Sequence, residues 1–483
     1  MIEHNVKVHD RFTLELKLGL HSAQRVRPDH FAVNLWMFIP NSLDVNRFTY
    51  TKASFYRDLK TYTRLITPAF SLSYLASAES PPLRWLEAAI AAFTQEPTEA
   101  HQAQYEYHIK MFVSTLKSSL RNTVAHIGHT ADFGQLPALV GCLNAIRHRY
   151  RAHLHDLSAS GLSGAMLDFY RFGDEYMSDV MELHSFKMMR ELERQGVVEH
   201  AAPLRELIND EMRYRQQQGY AVIDPENTHR NHAFVFRMGM LKKYAESHLF
   251  MSIRKRRDGL LAEQVLYSLA AGISMVVATA IAFSFQRRYG NFTMPLFVAL
   301  VVGYMLKDRI KELGRYFFAH RMGNHYYDHK IDMSLNGQPV GWIKEAMDFI
   351  PQAKVPPSVV RTRSRPSIIE ADHRVNAEQT LLYRSRVHME TTALGALSPY
   401  PIAGVNSIVR FNVSELLRKA DNPEFPLYYP DERPAGYRVV MGERMYYLNI
   451  VLQLDHGPQH DLVPYRMAFN RNGIHSVERL ENA

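Results

Sequence analysis

Apolar residues gather most densely in two runs near the middle of the chain. Val265 to Phe285 holds no charged side chain, and at 1.5 Å per residue its helix reaches about 31 Å, the thickness of a hydrocarbon core. Phe292 to Leu306 is shorter, and only Gln286–Asn291 separates the two runs; a helix over it reaches about 22 Å and is lengthened by the snorkelling of Lys307 and Arg309. The pattern predicts a transmembrane helical hairpin of two spans. Ala270, Ser274, Ala278 and Ala282 recur every four residues on the first helix, as Ala299 and Gly303 do on the second. That spacing predicts close packing of small faces, because lipid gives two helices no hydrophobic reason to associate.

On either side the periodicity changes. Phe12, Leu14, Leu16, Leu18 and Leu20 alternate with polar or small residues, and Phe31, Val33, Leu35 and Met37 alternate after a loop containing Pro28, which predicts a short β-hairpin. Helical spacing follows over 54–66, 83–95, 99–126, 134–157, 164–195, 200–218 and 229–257, punctuated by Pro68, Pro81-Pro82, Pro97 and Pro225. After the hairpin, the basic stretch Pro351 to Pro366 has too few apolar residues to fold and reads as a linker. Alternation resumes in Leu381–Met389, Val405–Val413, Tyr437–Met441, Met445–Leu454, Leu462–Phe469 and Ile474–Val477, with Asn472-Gly473 as a type I′ turn.

The expected fold class is therefore a membrane protein with a mainly α cytoplasmic domain, a short N-terminal β-hairpin, a two-helix transmembrane hairpin and a C-terminal small β (α+β) domain. The boundaries fall at 1–52, 53–258, 259–322, 323–366 and 367–483. Two strands are unstable alone, so the N-terminal pair is expected either to join the C-terminal strands or to pack on the helical domain.

Charge sets the expected orientation. Arg254, Lys255, Arg256 and Arg257 precede the first run, and Lys307, Arg309, Lys311 and Arg315 follow the second, against Arg287 and Arg288 in the turn. By the positive-inside rule both termini are cytoplasmic and the protein is a multi-pass protein of the inner (plasma) membrane. The cluster Arg254–Arg257 is also expected to contact anionic lipid head groups. The formal net charge of +8 follows from topology in such a protein, so nucleic acid is not the expected partner. The single cysteine, Cys142, excludes an intramolecular disulfide framework and Cys-rich zinc sites and suits a reducing compartment. The first twenty residues mix both charges and lack an apolar h-region, which argues against a signal peptide.

Candidate chemistry is sparse. His126 and His129 followed by His155-Asp156 resemble the H…HD…D arrangement of HD-type metal phosphohydrolases, in which such residues hold metals that activate water; Asp168 or Asp174 would complete the set. Arg121-Asn122 with His126 or His129, and Arg147-His148 with His153, resemble the Arg-polar-x4–6-His motif of HEPN ribonucleases, in which Arg and His act on a scissile phosphate. With 24 histidines in the chain, about one match to each pattern is expected by chance. His325, His329 and Asp332 would share one face of a continued helix and could bind a metal there. His126-Ile127-Gly128-His129 matches a synthetase nucleotide motif but lacks its parallel-sheet context. No GxxxxGK[ST], HExxH, GxSxG or kinase motif is present. The expectation that follows is a membrane-tethered scaffold or sensor, with no cofactor identified. A membrane-anchored metal-dependent phosphohydrolase or HEPN-like ribonuclease, and a homo-oligomeric hairpin pore, are the alternatives.

Overall fold

In the computed structural model of this chain, which describes residues 2–22, 29–159, 164–229, 231–291, 293–322, 326–363, 378–432 and 434–480, the alternating segments from both ends of the sequence pair with each other. The strands are β1 (Ile2–Asp10), β2 (Thr13–His21), β3 (Asp29–Ile39), β4 (Leu59–Leu65), β5 (Ser252–Arg257), β6 (His329–Leu335), β7 (Gln338–Ile350), β8 (Gln379–Met389), β9 (Gly404–Asn412), β10 (Glu424–Pro430), β11 (Tyr437–Glu443), β12 (Tyr446–His456), β13 (Gln459–Asn470) and β14 (Gly473–Arg479). They form an eight-stranded sheet in the order β14-β13-β12-β3-β8-β7-β6-β5, a four-stranded sheet β1-β2-β9-β4 and a ribbon β10-β11. Two units result, one of Met1–Tyr62, Ser252–Ala393 and Ile408–Ala483, the other of Thr63–Met251 and Leu394–Ser407. The division runs through β4 and β9.

In the first unit β3 lies between β8 and β12. Leu35 pairs with Tyr383 on one side and Leu452 on the other, and Val33 with Ser385 and Leu454. The odd-numbered side chains Phe31, Val33, Leu35 and Met37 are all buried, as strict alternation demands of a half-covered sheet. The opposite face is apolar only at one end, where Trp36, Phe38, Leu382 and Val451 are buried with Val355 and Val359.

Three expected elements change. The helix expected over 229–257 stops at Glu246, and residues 252–257 form β5, antiparallel to β6. The helix expected over 54–66 is α1 (Lys52–Asp58) followed by β4. Within 323–366, assigned above to a linker, β6 and β7 are joined by Asn336-Gly337, both at positive φ (51° and 79°). That is the backbone of a type I′ turn, which matches strand twist. At Asn472-Gly473, where such a turn was expected, Gly473 instead opens β14.

The expected fold class is overturned. The chain is mixed α/β, built around large antiparallel sheets, with a single helix among those described that is long and apolar enough to cross a membrane. The helices between β4 and β5 are α2 (Leu72–Ala76), α3 (Pro81–Gln95), α4 (Glu99–Thr130), α5 (Leu136–Ala159), α6 (Gly164–Gln195), α7 (Ala202–Gln218) and α8 (Asn231–Glu246); after β5 come α9 (Leu260–Tyr289) and α10 (Met294–Met322). Only α9 qualifies as a span. The helix α10 starts at Met294 and meets Lys307, Asp308 and Arg309, so its uncharged part reaches about 20 Å and falls short of a hydrocarbon core. The two helices pack through small residues: Ala270, Ser274, Ala299 and Gly303 are buried, and a Cβ added at Gly303 would sit 3.6 Å from the Ala278 carbonyl oxygen. Ala278 and Ala282 are half-buried. The tightest approach is at Gly314, where an added Cβ would stand 2.8 Å from the Ala270 Cβ.

The second unit is mainly helical. Thr98 caps α4 by accepting from the His101 N–H at 3.3 Å, and Pro81-Pro82 open α3, where missing N–H groups cost nothing. Phe93, Phe112, Leu116, Leu143, Tyr150 and Met181 are among its buried core side chains. The core also holds a lattice of ions. Arg151 bonds Asp174 at 2.9 Å and Glu211 at 2.7 Å, Arg147 bonds Glu211 at 2.8 Å, and Arg215 is paired with Asp179 and Glu182. Such charges stand only as a set, since removing one partner strands another without water.

Two expectations follow. Gly314→Leu should pry α9 from α10, so that disulfide formation between cysteines placed at 278 and 303 falls several-fold; undiminished crosslinking would show that the contact tolerates bulk. In the helical unit, burial pushes His108 and His184 down to about 4 from 6.5, in His184 with help from the Lys187, Lys117 and Arg121 charges. Between those values the unfolded chain binds more protons, so stability is lost as pH falls from 6.5 toward 4. Thermal melts from about pH 7 to about pH 5 should therefore show a steeper loss for the natural protein than for a His108→Gln/His184→Gln variant; parallel curves would contradict the assignment.

Candidate functional site

Where β5 passes into α9, a cavity of about 750 Å³ opens at the edge of the eight-stranded sheet. Its walls come from four separate parts of the first unit: Lys52 and Tyr56 of α1, Lys255–Gly259 at the end of β5, Glu263 and Tyr267 in the first turns of α9, and Tyr326–His329 leading into β6. Gly259 has φ +72°, and a Cβ there would stand 2.6 Å from the Tyr326 ring, so the chain turns from strand to helix directly against that ring.

Asp328 lines the cavity, and Glu345 holds the lining residue Lys255 from behind. Asp328 accepts from Lys52 at 2.7 Å, the Tyr56 hydroxyl at 2.9 Å and the Met347 N–H at 2.8 Å. Glu345, fully buried on β7, accepts from Thr61 at 2.8 Å, Tyr383 at 2.9 Å and Lys255 at 3.2 Å. Burial, followed by the Glu345 charge, pushes Tyr383 well above the ordinary phenol range, and burial with Asp328 does the same for Tyr56. Both remain protonated donors. Burial opposes the charge on Lys52, but its bond to Asp328 and the Asp348 charge outweigh that and raise its pKa. Burial and the Lys255 charge lower His329, which stays neutral at pH 7. Its ring meets Tyr56 edge to face at 4.3 Å.

Further cations stand on this end of the sheet. Arg256 reaches Asp332 at 3.1 Å and Arg257 reaches Glu263 at 3.0 Å, with side chains 59% and 65% exposed. Arg256 also begins a row of cations across four strands: it is directly opposite Lys330, which is opposite Lys344, which is opposite Arg386. Like charges facing one another across a sheet destabilise it. Here Trp342 lies beside the row, 5.5 Å from the Lys330 ammonium and 5.4 Å from that of Lys344, with His388 stacked on it at 5.2 Å. Asp258 offsets Lys344 at 3.0 Å. Arg257, His329 and Glu345 share one face of the sheet, whereas Arg256 and the cationic row stand on the opposite face; the carboxylates at the cavity are committed to structural pairs.

The head-group candidates Arg254, Lys255, Arg256 and Arg257 thus stand on an edge strand, where Lys and Arg also guard against pairing with another chain. The proposed metal trio does not share a helix. His329 opens β6 and Asp332, three residues on, points to the other face, held by Arg256 and Lys330; His325 lies outside the described residues. No group of three or more His, Cys, Asp or Glu side chains among the described residues could hold a metal ion.

In the helical unit, His126 is exposed on α4, while Arg121 bonds Ser118 and Asn122 on its own helix. It is His184 of α6 that feels the Arg121 charge. Arg147 belongs to the Glu211 and Asp210 pairs, and His153 faces Glu87 at 3.5 Å. Six residues apart on one helix, Arg147 and His153 point in different directions. His155 and Asp156 lie on α5, but their side chains are outside the described set. The cavity residues Lys52, Tyr56 and Tyr326, and Glu345, which accepts from Lys255, were not singled out from the sequence, which carries no local signal for a site assembled from four distant segments.

Glu345→Leu would leave Tyr383 and Lys255 without their acceptor and should cost about 3–5 kcal/mol in urea unfolding. Glu345→Gln keeps an acceptor and should cost clearly less. Equal losses would mean that side-chain shape, not hydrogen bonding, sets the cost.

No protein-family model matches this chain, and neither a similar curated protein nor a similar solved structure is found. The reading of function rests on this geometry.

Proposed function

We propose that the chain is a membrane-tethered scaffold or sensor that binds ligands at the membrane surface, with α9 as its anchor. The observation that carries this reading is the exposure of α9. Only 11% of its apolar stretch is buried, and Leu261, Leu269, Ile273, Val276 and Phe283 are each more than half exposed. A core helix of that composition would be covered, and an exposed apolar surface of this size is disfavoured in water. Lipid is the solvent that suits it.

The basic face near its first turn supports the same reading. Arg256, Lys330, Lys344 and Arg386 form a cationic row of the kind that attracts the negative surface of a bilayer, at about 1 kcal/mol for each Lys or Arg close to it. The buried carboxylates Glu345, Asp174 and Glu211 are engaged in structural pairs, which favours binding over covalent chemistry.

The test is fractionation. The natural protein should remain with membranes through an alkaline carbonate wash. Ile273→Asp/Val276→Asp changes only exposed positions and places two charges in the span, at about 2.5–3.5 kcal/mol each; it should move to the supernatant with its fold intact. Release of the natural protein by carbonate would refute the anchor.

A further inference from the structure

We infer that the ribbon of β10 and β11 is an interface between two copies of this chain, in which β11 pairs antiparallel with β11 of the second copy about a two-fold axis. The inference goes beyond the scaffold or sensor reading and does not depend on the membrane anchor.

The ribbon is apolar on both faces and uncovered. Among the described residues β10 and β11 pair only with each other, and all of their residues except Gly442 are exposed. The register places Phe425, Leu427 and Val440 on one face and Tyr428, Val439 and Met441 on the other. Eight large apolar side chains on these two strands are between 43% and 69% exposed. At about 200 Å² for a whole side chain they present roughly 800 Å², more than the largest patch of a typical monomer. That is also about the 800 Å² that each partner brings to a standard interface. A two-stranded ribbon is marginal in water by itself, and further strands are what stabilise it.

The two edges of the ribbon differ. The Arg444 N–H donates to the Pro423 carbonyl at 2.7 Å and the Asp431 N–H to the Gly436 carbonyl at 3.2 Å. Counting inward by twos from these bonds, Phe425, Leu427 and Tyr429 are the β10 residues bonded to β11. The residues between them aim their backbone groups outward, and two of these are Pro426 and Pro430, which have no N–H. That edge is closed to a further strand. On β11 the outward groups belong to Tyr437, Val439, Met441 and Glu443, and the strand contains neither proline nor lysine to guard it. With one edge open and the other blocked, strand addition happens once. Two open edges that meet about a two-fold axis complete each other, and the assembly stops at two copies.

The strand is compatible with its own copy. The register that pairs all of β11 puts Val440 on the axis opposite itself, Val439 opposite Met441, Tyr437 opposite Glu443 and Arg438 opposite Gly442. No like charges face each other, and Arg438 lies over a position that has no side chain. The result is a four-stranded sheet in the order β10-β11-β11-β10. Lipid does not suit this surface: an open edge leaves backbone groups unbonded in hydrocarbon, and Asp431 and Glu432 follow Pro430 at the tip of the ribbon.

The experiment uses the full chain purified in a neutral detergent, with its mass followed by sedimentation over a wide range of concentration. The natural protein should be a dimer in equilibrium with monomer. Val439→Pro/Met441→Pro removes two outward N–H groups from β11 and leaves the ladder to β10 in place; it should weaken self-association roughly 100-fold or more. Tyr428→Pro removes the N–H between Pro426 and Pro430 on the edge that the dimer does not use, and should change the association less than about threefold. A disulfide reads the register. In a Cys142→Ser background, Val440→Cys should form an intermolecular disulfide on mild oxidation, because Cα atoms at such a pair stand about 4.5 Å apart, within the reach of the bond. Arg438→Cys, on the same face but about 14 Å from its copy, should not. These two cysteine variants decide the matter if the proline variant does not fold. A natural protein that is monomeric at every concentration overturns the inference. A dimer weakened equally by the β11 and β10 prolines is held by the faces of the ribbon and overturns the strand pairing. So does a dimer that survives the β11 prolines and does not crosslink at position 440.

Discussion

The pairing of β3 on both of its edges is the constraint on which the first unit depends. Residues 29–39 are held between β8 and β12, at least 340 residues away in sequence, through continuous antiparallel registers. Because side chains alternate, a slip of one residue on either side would turn Phe31, Val33, Leu35 and Met37 out of the core and bring Asn34 into it. The register is thus fixed by burial. Its formation requires the whole intervening chain, including the helical unit and α9, to be accommodated in one closed loop, and such non-local pairing is slow to form.

That closure determines where the charges lie. With β3 central, β5 becomes the outermost strand, and its run Ser252–Arg257 is exposed throughout. The cationic row across β5, β6, β7 and β8 arises from register alone, since Arg256, Lys330, Lys344 and Arg386 are scattered over more than a hundred residues. Its electrostatic cost contrasts with the ion lattice of the helical unit, where Arg147, Arg151 and Arg215 are matched by Glu211, Asp174 and Asp179. Buried charges there are compensated pair by pair. On the sheet face the compensation by Asp332 and Asp258 is partial, and solvent or a ligand supplies the rest.

The same register explains which features could be read in advance. Alternation located β2, β3, β8 and β12 because each is covered on one face, and helical periodicity located α3 to α7 because their apolar stripes face a common core. The segment 252–257 has no apolar stripe of its own, and its strand conformation is imposed by β6. Asn336-Gly337 did carry a local signal, a dipeptide suited to two positive φ values, yet the charged residues around it concealed two strands whose outer face is polar. The second apolar run is too short to span, since helix geometry begins it at Met294 and Lys307 ends it.

By itself, the sequence determined the strongly periodic elements, the long apolar run that becomes α9 and the small faces of α9 and α10, because these depend on patterns within a few turns or residues. Only the tertiary structure decided that both ends of the chain build one sheet, that four distant cations face one another, and that Lys52, Arg257, Glu263 and Asp328 surround one cavity. The physical reason is that a sheet draws its pairing partners from any distance along the chain, whereas periodicity records only which face of an element is covered and not by what.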